Sequence, residues 1–346
     1  MGVGQGGRRC AEPPPAAMGP GQGRHQQVVG RGGVAGEEQG GSAQLMLVLG
    51  HESGEPVLPL VHAHPFRPAV VGGTVSGRSC SVSEAAHWPL MSPDPDPAVV
   101  ARLRSAGCVF AEDEAVLLLA AAASAAQLDG LVARRVAGEP LEQVLGWAEF
   151  CGLRLAVEPG VFVPRQRTRL LVREAVALAS SGSVVLDLCC GVGAVGAAVA
   201  AVVPSVELHA ADLDPVAVRC ARRNVSGAVY AGDLYDPLPE SLRGRVDVLV
   251  ANAPYVPTEA IALMPPEARD HEARAALDGG VDGLDVQRRV AAGAPDWLAP
   301  GGALLIETGR EQAPATQAAC TAAGLTTRVV EDDDLAATVV VAVREP

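Results

Sequence analysis

Apolar positions fall into several regimes along the chain, and the clearest lies in its second half. Short runs of Val, Leu, Ile and Ala recur at Ser183–Leu188, Val206–Ala211, Ala228–Ala231, Val246–Ala251, Ala303–Glu307, Thr326–Val330 and Ala337–Val343. Runs that are apolar at nearly every position, rather than at alternate ones, predict strands buried on both faces of a largely parallel sheet. Stretches at Ala194–Val203, Pro215–Asn224, Asp285–Leu298 and Glu311–Ala323 predict the covering helices, and Thr168–Ala179 predicts one more leading in. The last two runs stand too close for a helix between them, so they predict an antiparallel hairpin at one edge. The expected fold class is α/β, a seven-stranded doubly wound sheet.

Upstream the pattern changes twice. From about residue 93 to 147, Val99, Leu103, Ala115, Leu118, Leu119, Leu128, Leu131 and Val132 recur at three- and four-residue steps, which predicts a small helical domain. Residues 148–167 read as a β-hairpin connector, with Leu153, Leu155 and Val157 alternating before Pro159-Gly160 turns into Val161-Phe162-Val163. The main domain is expected over 168–346. Residues 1–92 are rich in Gly, Pro, Gln and Arg without lasting periodicity, and are expected to be disordered or a spurious extension. Met91 before Ser92-Pro93 is a plausible alternative start.

Composition narrows the function classes. The charge is −13, and all 27 basic side chains are arginines. No extended basic face appears, which speaks against a nucleic-acid partner. The densest basic spots, Arg134-Arg135, the series Arg165, Arg167 and Arg169, and Arg219 with Arg222-Arg223, read as solvated helix faces. No apolar run reaches the roughly 18 residues of a membrane helix. The eight cysteines form no CxxC pair and no metal-spaced cluster, so the expectation is a cytoplasmic monomer with reduced thiols and no metal.

The first strand opens into Cys189-Cys190-Gly191-Val192-Gly193-Ala194-Val195-Gly196. Glycines there let the backbone approach a ligand and turn into a helix whose terminal amides can hold an anion. The GxGxxG spacing alone also fits a nicotinamide dinucleotide. Two features favour S-adenosylmethionine: Asp187 just before the glycines, and Asp233-Leu234 after the third strand. Asp212, after the second strand, suits ribose hydroxyls in either cofactor.

The fourth strand ends in Asn252-Ala253-Pro254-Tyr255. A planar amide or exocyclic amine nitrogen is a weak nucleophile because its lone pair is delocalised. Two acceptors, the Asn252 side-chain oxygen and a backbone carbonyl near Ala253 or Pro254, can take both N–H groups and aim the lone pair at an electrophile. Pro254 stiffens the loop and Tyr255 offers a flat wall, so positioning rather than a strong base is the catalytic resource. The same geometry suits a glutamine amide, an adenine N6 amine or a small-molecule amide. Outside methyl transfer, an NAD-binding oxidoreductase and a non-catalytic binding module remain alternatives.

From about Ala98 to Arg344 the chain resembles the HemK-type protein-(glutamine-N5) methyltransferases. The resemblance rests on Gly138-Glu139-Pro140-Leu141, Gly146, Glu149-Phe150, Phe162-Val163-Pro164-Arg165 with Thr168, Asp187 to Gly193, Asp212, Gly232-Asp233-Leu234 and Asn252 to Tyr255. It continues through Glu272-Ala273-Arg274, Ala276 to Gly280, Asp282-Gly283-Leu284 and Pro300-Gly301-Gly302. It implies a Rossmann-like methyltransferase sheet, with the helical segment recognising a protein substrate that carries an exposed glutamine, as in release factors. By the same resemblance Asp187, Cys189, Gly191, Gly193, Asp212, Asp233, Leu234 and Asn252 hold S-adenosylmethionine. Asn252, Ala253, Pro254 and Tyr255 hold the substrate amide, with Asn252, Pro254 and Tyr255 catalytic, and Phe162 and Arg165 line the pocket. Three departures stand out: Cys189 replaces a loop glycine, Ala253 replaces the first proline of Asn-Pro-Pro-Tyr, and the helical segment is shorter.

Overall fold

The computed structural model describes residues 94–346. The expected extension over 1–92 therefore lies outside the described residues.

Four helices come first: α1 (Pro97–Ser105), α2 (Ala111–Ala121), α3 (Ala125–Val136) and α4 (Leu141–Leu145). The Asp96 side chain caps α1 by accepting from the Ala98 amide at 2.8 Å, and Pro97 occupies the first helical position, where no amide is needed. Val99, Leu103, Ala111, Ala115, Leu118, Val132 and Val144 bury one shared core. Arg135, expected on a solvated face, is instead buried. Its guanidinium takes Glu114 through two bonds of 2.7 and 3.2 Å and Glu267 through a third of 2.7 Å. Arginine's several donors allow that burial, because each facing carboxylate and the Glu139 carbonyl can be satisfied at once.

A hairpin follows, β1 (Trp147–Phe150) against β2 (Leu153–Ala156). Its turn is Cys151-Gly152, both with positive φ, the backbone that matches the twist of a two-residue hairpin. Pro159-Gly160 therefore does not make the hairpin turn, and Val161-Phe162-Val163 is not a strand. Gly160 bridges Glu272 instead. Cysteine carries no turn signal, so the alternation of 153, 155 and 157 pointed to the wrong partner.

The main sheet is built from β3 (Val184–Leu188), β4 (Glu207–Asp212), β5 (Ala228–Ala231), β6 (Val246–Ala251), β7 (Leu298–Thr308), β8 (Thr326–Asp332) and β9 (Ala337–Val343). Its order is β5-β4-β3-β6-β7-β9-β8, parallel except where β9 runs against β7 and β8. The helices are α5 (Arg169–Leu178), α6 (Ala194–Val202), α7 (Pro215–Asn224), α8 (Pro266–His271), α9 (Asp285–Trp297) and α10 (Ala313–Ala322). β7 begins five residues earlier than the apolar run implied, because Leu298 pairs with Val246 across an irregular register before the regular ladder at Ala303.

Alternate strand residues feed two cores. Val185, Val248, Val250, Leu305, Val339 and Val341 pack with α5, α6 and α7. Leu186, Leu188, Leu249, Leu304, Ile306 and Val340 pack with α9 and α10. Each such side chain contributes about 1.5–3 kcal/mol when fully buried, so strand register is firmly set at the sheet centre, where the site lies.

Candidate active site

Strand order reverses at β3, with β4 and β5 on one side and β6 and β7 on the other. Doubly wound sheets bind ligands outside the carboxyl ends of the strands at such a switch point. A cavity of about 230 Å³ opens there. Its wall includes Phe162, Arg165, Asp187, Cys189, Gly191, Asp212, Asp233, Leu234 and the whole of Asn252–Tyr255. Of the residues expected at the site, Gly193 does not line the cavity.

The glycine loop shows why. A Cβ on Gly193 would stand 2.8 Å from Val225 Cγ1, so this glycine permits close packing against the end of α7. At Gly191 (φ 56°) a Cβ would have no atom within 4 Å, so the open space over it belongs to the cavity. Cys189 holds φ 55° and Leu234 φ 46°, a left-handed backbone that side chains disfavour. Both face the cavity, and strain of this kind gathers at functional sites. The Asn224 side chain ties the loop down, donating to the Val192 and Ala156 carbonyls at 2.8 and 3.0 Å.

Two carboxylates organise the same loop. Asp187 is almost wholly buried and accepts from the Gly196 amide at 2.9 Å, in the first turn of α6. Burial pushes its pKa up to about 7, against the pull of that amide, and the nearby Asp212 charge adds to the rise. Asp212 accepts from the Gly191 amide at 2.8 Å and from the Asp214 amide at 2.8 Å. Burial raises its pKa as well, with those backbone amides opposing.

The register places the Asn252–Tyr255 loop beside the glycine loop: Leu188 pairs with Ala251, and Ala251 pairs with Ile306. Asn252 donates from Nδ2 to Thr168 Oγ1 at 3.3 Å, which turns its carbonyl oxygen away from Thr168. Tyr255 donates its hydroxyl to Glu307 at 3.2 Å, and burial chiefly raises its pKa, with the Glu307 charge adding to the rise. The Gln312 side chain holds the Tyr255 carbonyl at 3.0 Å. A strip downstream braces the loop: the Val256 amide donates to Leu277, and the Gly279 amide returns a bond to Val256. At Gly283 (φ 78°) a Cβ would lie 2.3 Å from the Tyr255 carbonyl, so the Asp282-Gly283-Leu284 motif is scaffolding that lets the two chains touch. Among the described residues, no amide donates to the Ala253 or Pro254 carbonyl.

Glu307, Arg167 and Glu272 were not assigned from sequence. Glu307 is buried at the end of β7, where a lone carboxylate closing an apolar run was the available signal. Arg167 approaches it at 3.4 Å. Burial raises the Glu307 pKa, while Arg167, Thr168 and Tyr255 favour its ionised form. Buried Glu272 accepts from Arg165 at 2.6 Å and from the Val163 amide at 3.1 Å, and the Arg165 guanidinium lies over the Phe162 ring at 4.8 Å. Arg165 and Arg167 thus belong to the cavity wall, not to a solvated face.

The wall carries four aspartates (187, 212, 214 and 233) and three arginines (165, 167 and 289). Each arginine already has a carboxylate partner: Glu272, Glu307 and Asp233 respectively. The Gly196 amide, which a pyrophosphate at a helix terminus would use, is taken by Asp187. Asp212 and Asp214 have no cationic partner among the described residues, so the cavity suits a ligand with a cationic group and offers little to a dianionic pyrophosphate.

Comparison with known proteins agrees. Residues 152–280 match the methyltransferase small domain family. A release factor glutamine methyltransferase of Geobacter sulfurreducens is 42% identical over 189 residues, covering 53% of this chain and 66% of the relative. The match thus spans just under two thirds of that protein's length. A 4-amino-L-phenylalanine/4-methylamino-L-phenylalanine methyltransferase of Streptomyces pristinaespiralis is 37% identical over 56% of this chain and 69% of its own length. A release factor glutamine methyltransferase of Moorella thermoacetica is 33% identical over 281 residues, 78% of this chain and 89% of the relative. With the cavity, the Asn252–Tyr255 loop and this near full-length match in hand, the chain belongs to the release factor glutamine methyltransferase family.

Proposed function

We propose that this protein transfers a methyl group from S-adenosylmethionine to the side-chain amide nitrogen (N5) of a glutamine in a protein, with a peptide chain release factor as the first candidate. The observation that carries the reading is the Asn252–Thr168 hydrogen bond, which presents the Asn252 carbonyl oxygen as an acceptor beside the carbonyls of Ala253 and Pro254.

The chain's residues fit the cofactor. Asp212 and Asp214, which have no cationic partner among the described residues, match its positive charge, Gly191 leaves room for close approach, and Asp212, Asp233 and Leu234 line the part of the cavity beyond β4 and β5. When bound, S-adenosylmethionine supplies a methyl carbon activated by a sulfonium leaving group. Asn252 Oδ1 and one backbone carbonyl of the loop accept the two N–H groups of the substrate amide, so its nitrogen lone pair is aimed instead of spread into the π system. Pro254 restricts the loop and the Tyr255 ring supports the planar group. Tyr255 keeps its proton, because burial disfavours phenolate and Glu307 accepts from the hydroxyl. The proton leaves the methylated nitrogen for solvent, and no strong base is needed. Holding reactants in line supplies up to about 7–11 kcal/mol of such a barrier.

A second reading has a specific observation behind it: the Streptomyces pristinaespiralis relative is named for methylating an aromatic amine of an amino acid. Two of the three lining arginines, Arg165 and Arg289, are engaged by Glu272 and Asp233, which leaves Arg167 as the wall cation with capacity for a free amino acid's carboxylate. Incubation with tritiated cofactor, a release factor and 4-amino-L-phenylalanine in parallel, followed by mass spectrometry, separates the two. Methyl on a release-factor glutamine is the expected result; label in the amino acid alone would replace the protein substrate with the amine.

A further inference from the structure

Gln143 belongs to α4 of the helical unit and is 3% exposed. Methyl transfer as described gives it no part, yet a glutamine buried this far must satisfy two N–H donors and a carbonyl oxygen. It satisfies all three outside its own unit. Nε2 donates to the Val161 carbonyl at 2.9 Å and to the His271 carbonyl at 3.2 Å, and Oε1 accepts from the Gly160 amide at 3.0 Å.

Those backbone groups lie on two segments that make one wall of the cavity. On the first, Val161 and Val163 pack into the core, which leaves Phe162 between them to the cavity, with Pro164 and Arg165 beyond. On the second, α8 ends at His271, Glu272 follows, and Ala273 lines the cavity. The segments are joined to each other where Gln143 enters. The Ala273 amide donates to the Gly160 carbonyl at 2.9 Å, and Glu272 accepts from the Val163 amide and from Arg165. Arg135, on α3 of the same helical unit, holds the other end of α8 through Glu267 at 2.7 Å.

The glycine loop has separate supports. Asp212 takes the Gly191 amide, Asp187 takes the Gly196 amide, and Asn224 donates to the Val192 carbonyl. We infer that Gln143 is a positioning residue: it sets the segment carrying Phe162 and Arg165 against the Glu272 strip, and so couples the helical unit to this wall and not to the glycine loop. The kinetic consequence rests on the proposed methyl transfer; the structural one does not.

The test compares wild type with Gln143→Met, Gln143→Glu and Val144→Ala. Methionine keeps the volume and removes every hydrogen bond; an ionised glutamate keeps an oxygen for Gly160 and removes both donors. Val144→Ala loosens the core of the helical unit one residue away. By amide exchange in 15N-labelled protein, Gly160 and Val163 should be protected in wild type and Val144→Ala. Both should lose protection in Gln143→Met, and Val163 alone in Gln143→Glu, while Gly191 and Gly196 stay protected in all four. On the release factor, kcat should fall in both Gln143 variants by up to about 100-fold, the cost of a wall misplaced by roughly an ångström. S-adenosylhomocysteine affinity should stay near wild type, and Val144→Ala should melt lower with wild-type kcat. Wild-type Val163 exchange or kcat in the Gln143 variants, an equal kcat loss in Val144→Ala, or S-adenosylhomocysteine affinity falling in step with kcat would each overturn the assignment. Should Gln143→Met not fold, Gln143→Glu carries the same comparison. If wild type transfers no methyl to the release factor, the methyl-transfer reading fails, and the Val163 exchange still decides whether Gln143 holds the wall.

Discussion

Leu188 and Ala251 are register partners on adjacent parallel strands, so the chain leaves the sheet at Cys189 and at Asn252 side by side. One ladder thereby sets the spacing between the glycine loop after β3 and the Asn252–Tyr255 loop after β6. Positioning the loops this way relies on buried Val and Leu pairs, which is why the site can tolerate strained backbone at Cys189 and Leu234.

Asn252→Ala should remove one acceptor while leaving the cavity below it intact. A lost hydrogen bond of this kind costs about 1–3 kcal/mol, so kcat should fall on the order of 10- to 100-fold, with S-adenosylhomocysteine affinity within a factor of two or so. Steady-state kinetics and calorimetric titration of the same preparation check both halves. Equal loss in binding and turnover would place Asn252 in ligand holding rather than in substrate alignment.

Gly191 and Gly193 should respond in opposite ways to alanine. At Gly191 the added methyl enters the cavity and meets no protein atom within 4 Å, so folding should survive with a penalty near the 1–2 kcal/mol of a left-handed residue, and ligand binding should fail. At Gly193 the methyl collides with Val225 at 2.8 Å, so the main loss should be in thermal stability. Thermal melts with and without S-adenosylhomocysteine distinguish them: Gly191→Ala should lose the ligand-induced shift, and Gly193→Ala should melt low and keep it.

That split shows where sequence reading stops. The parallel sheet, its closing hairpin and the strand-end carboxylates were legible because each leaves a local mark: an apolar run, a short gap, an aspartate after a strand. Gly191 and Gly193 look alike in a motif, and what separates them is the tertiary neighbour Val225. Thr168 meets Asn252 from 84 residues upstream and Glu307 meets Tyr255 from 52 residues downstream, so no local window relates them. Arg135 looked like half of a surface pair because its two acids come from α2 and α8, which the helical period cannot bring together.

Arg135→Met should be strongly destabilising. It leaves Glu114 buried without its partner, and breaking one side of a buried pair costs about 3–5 kcal/mol. The double variant Arg135→Met/Glu114→Leu should recover most of that, since it replaces the pair by apolar volume. Urea unfolding of the three proteins gives the comparison. A single variant as stable as wild type would mean that the helical unit does not rely on this network.

Asp187 gives the stability a defined pH dependence. Its pKa rises from 3.8 to about 7 on folding, with burial as the main cause, the Gly196 amide opposing and the Asp212 charge adding. The folded state therefore holds a proton that the unfolded chain has already released, and the unfolded state binds fewer protons between these values. Stability linked to this group is fully present below about pH 4, declines as pH rises toward 7, and is level above it. Asp187→Asn keeps an oxygen for the Gly196 amide and removes the titration. The unfolding free energy of wild type minus that of the variant, measured in urea without ligand from pH 4.5 to 8, should fall with rising pH and flatten near 7. A difference that does not vary with pH would show that Asp187 is ionised throughout, and that the cavity floor carries a full negative charge in the free protein.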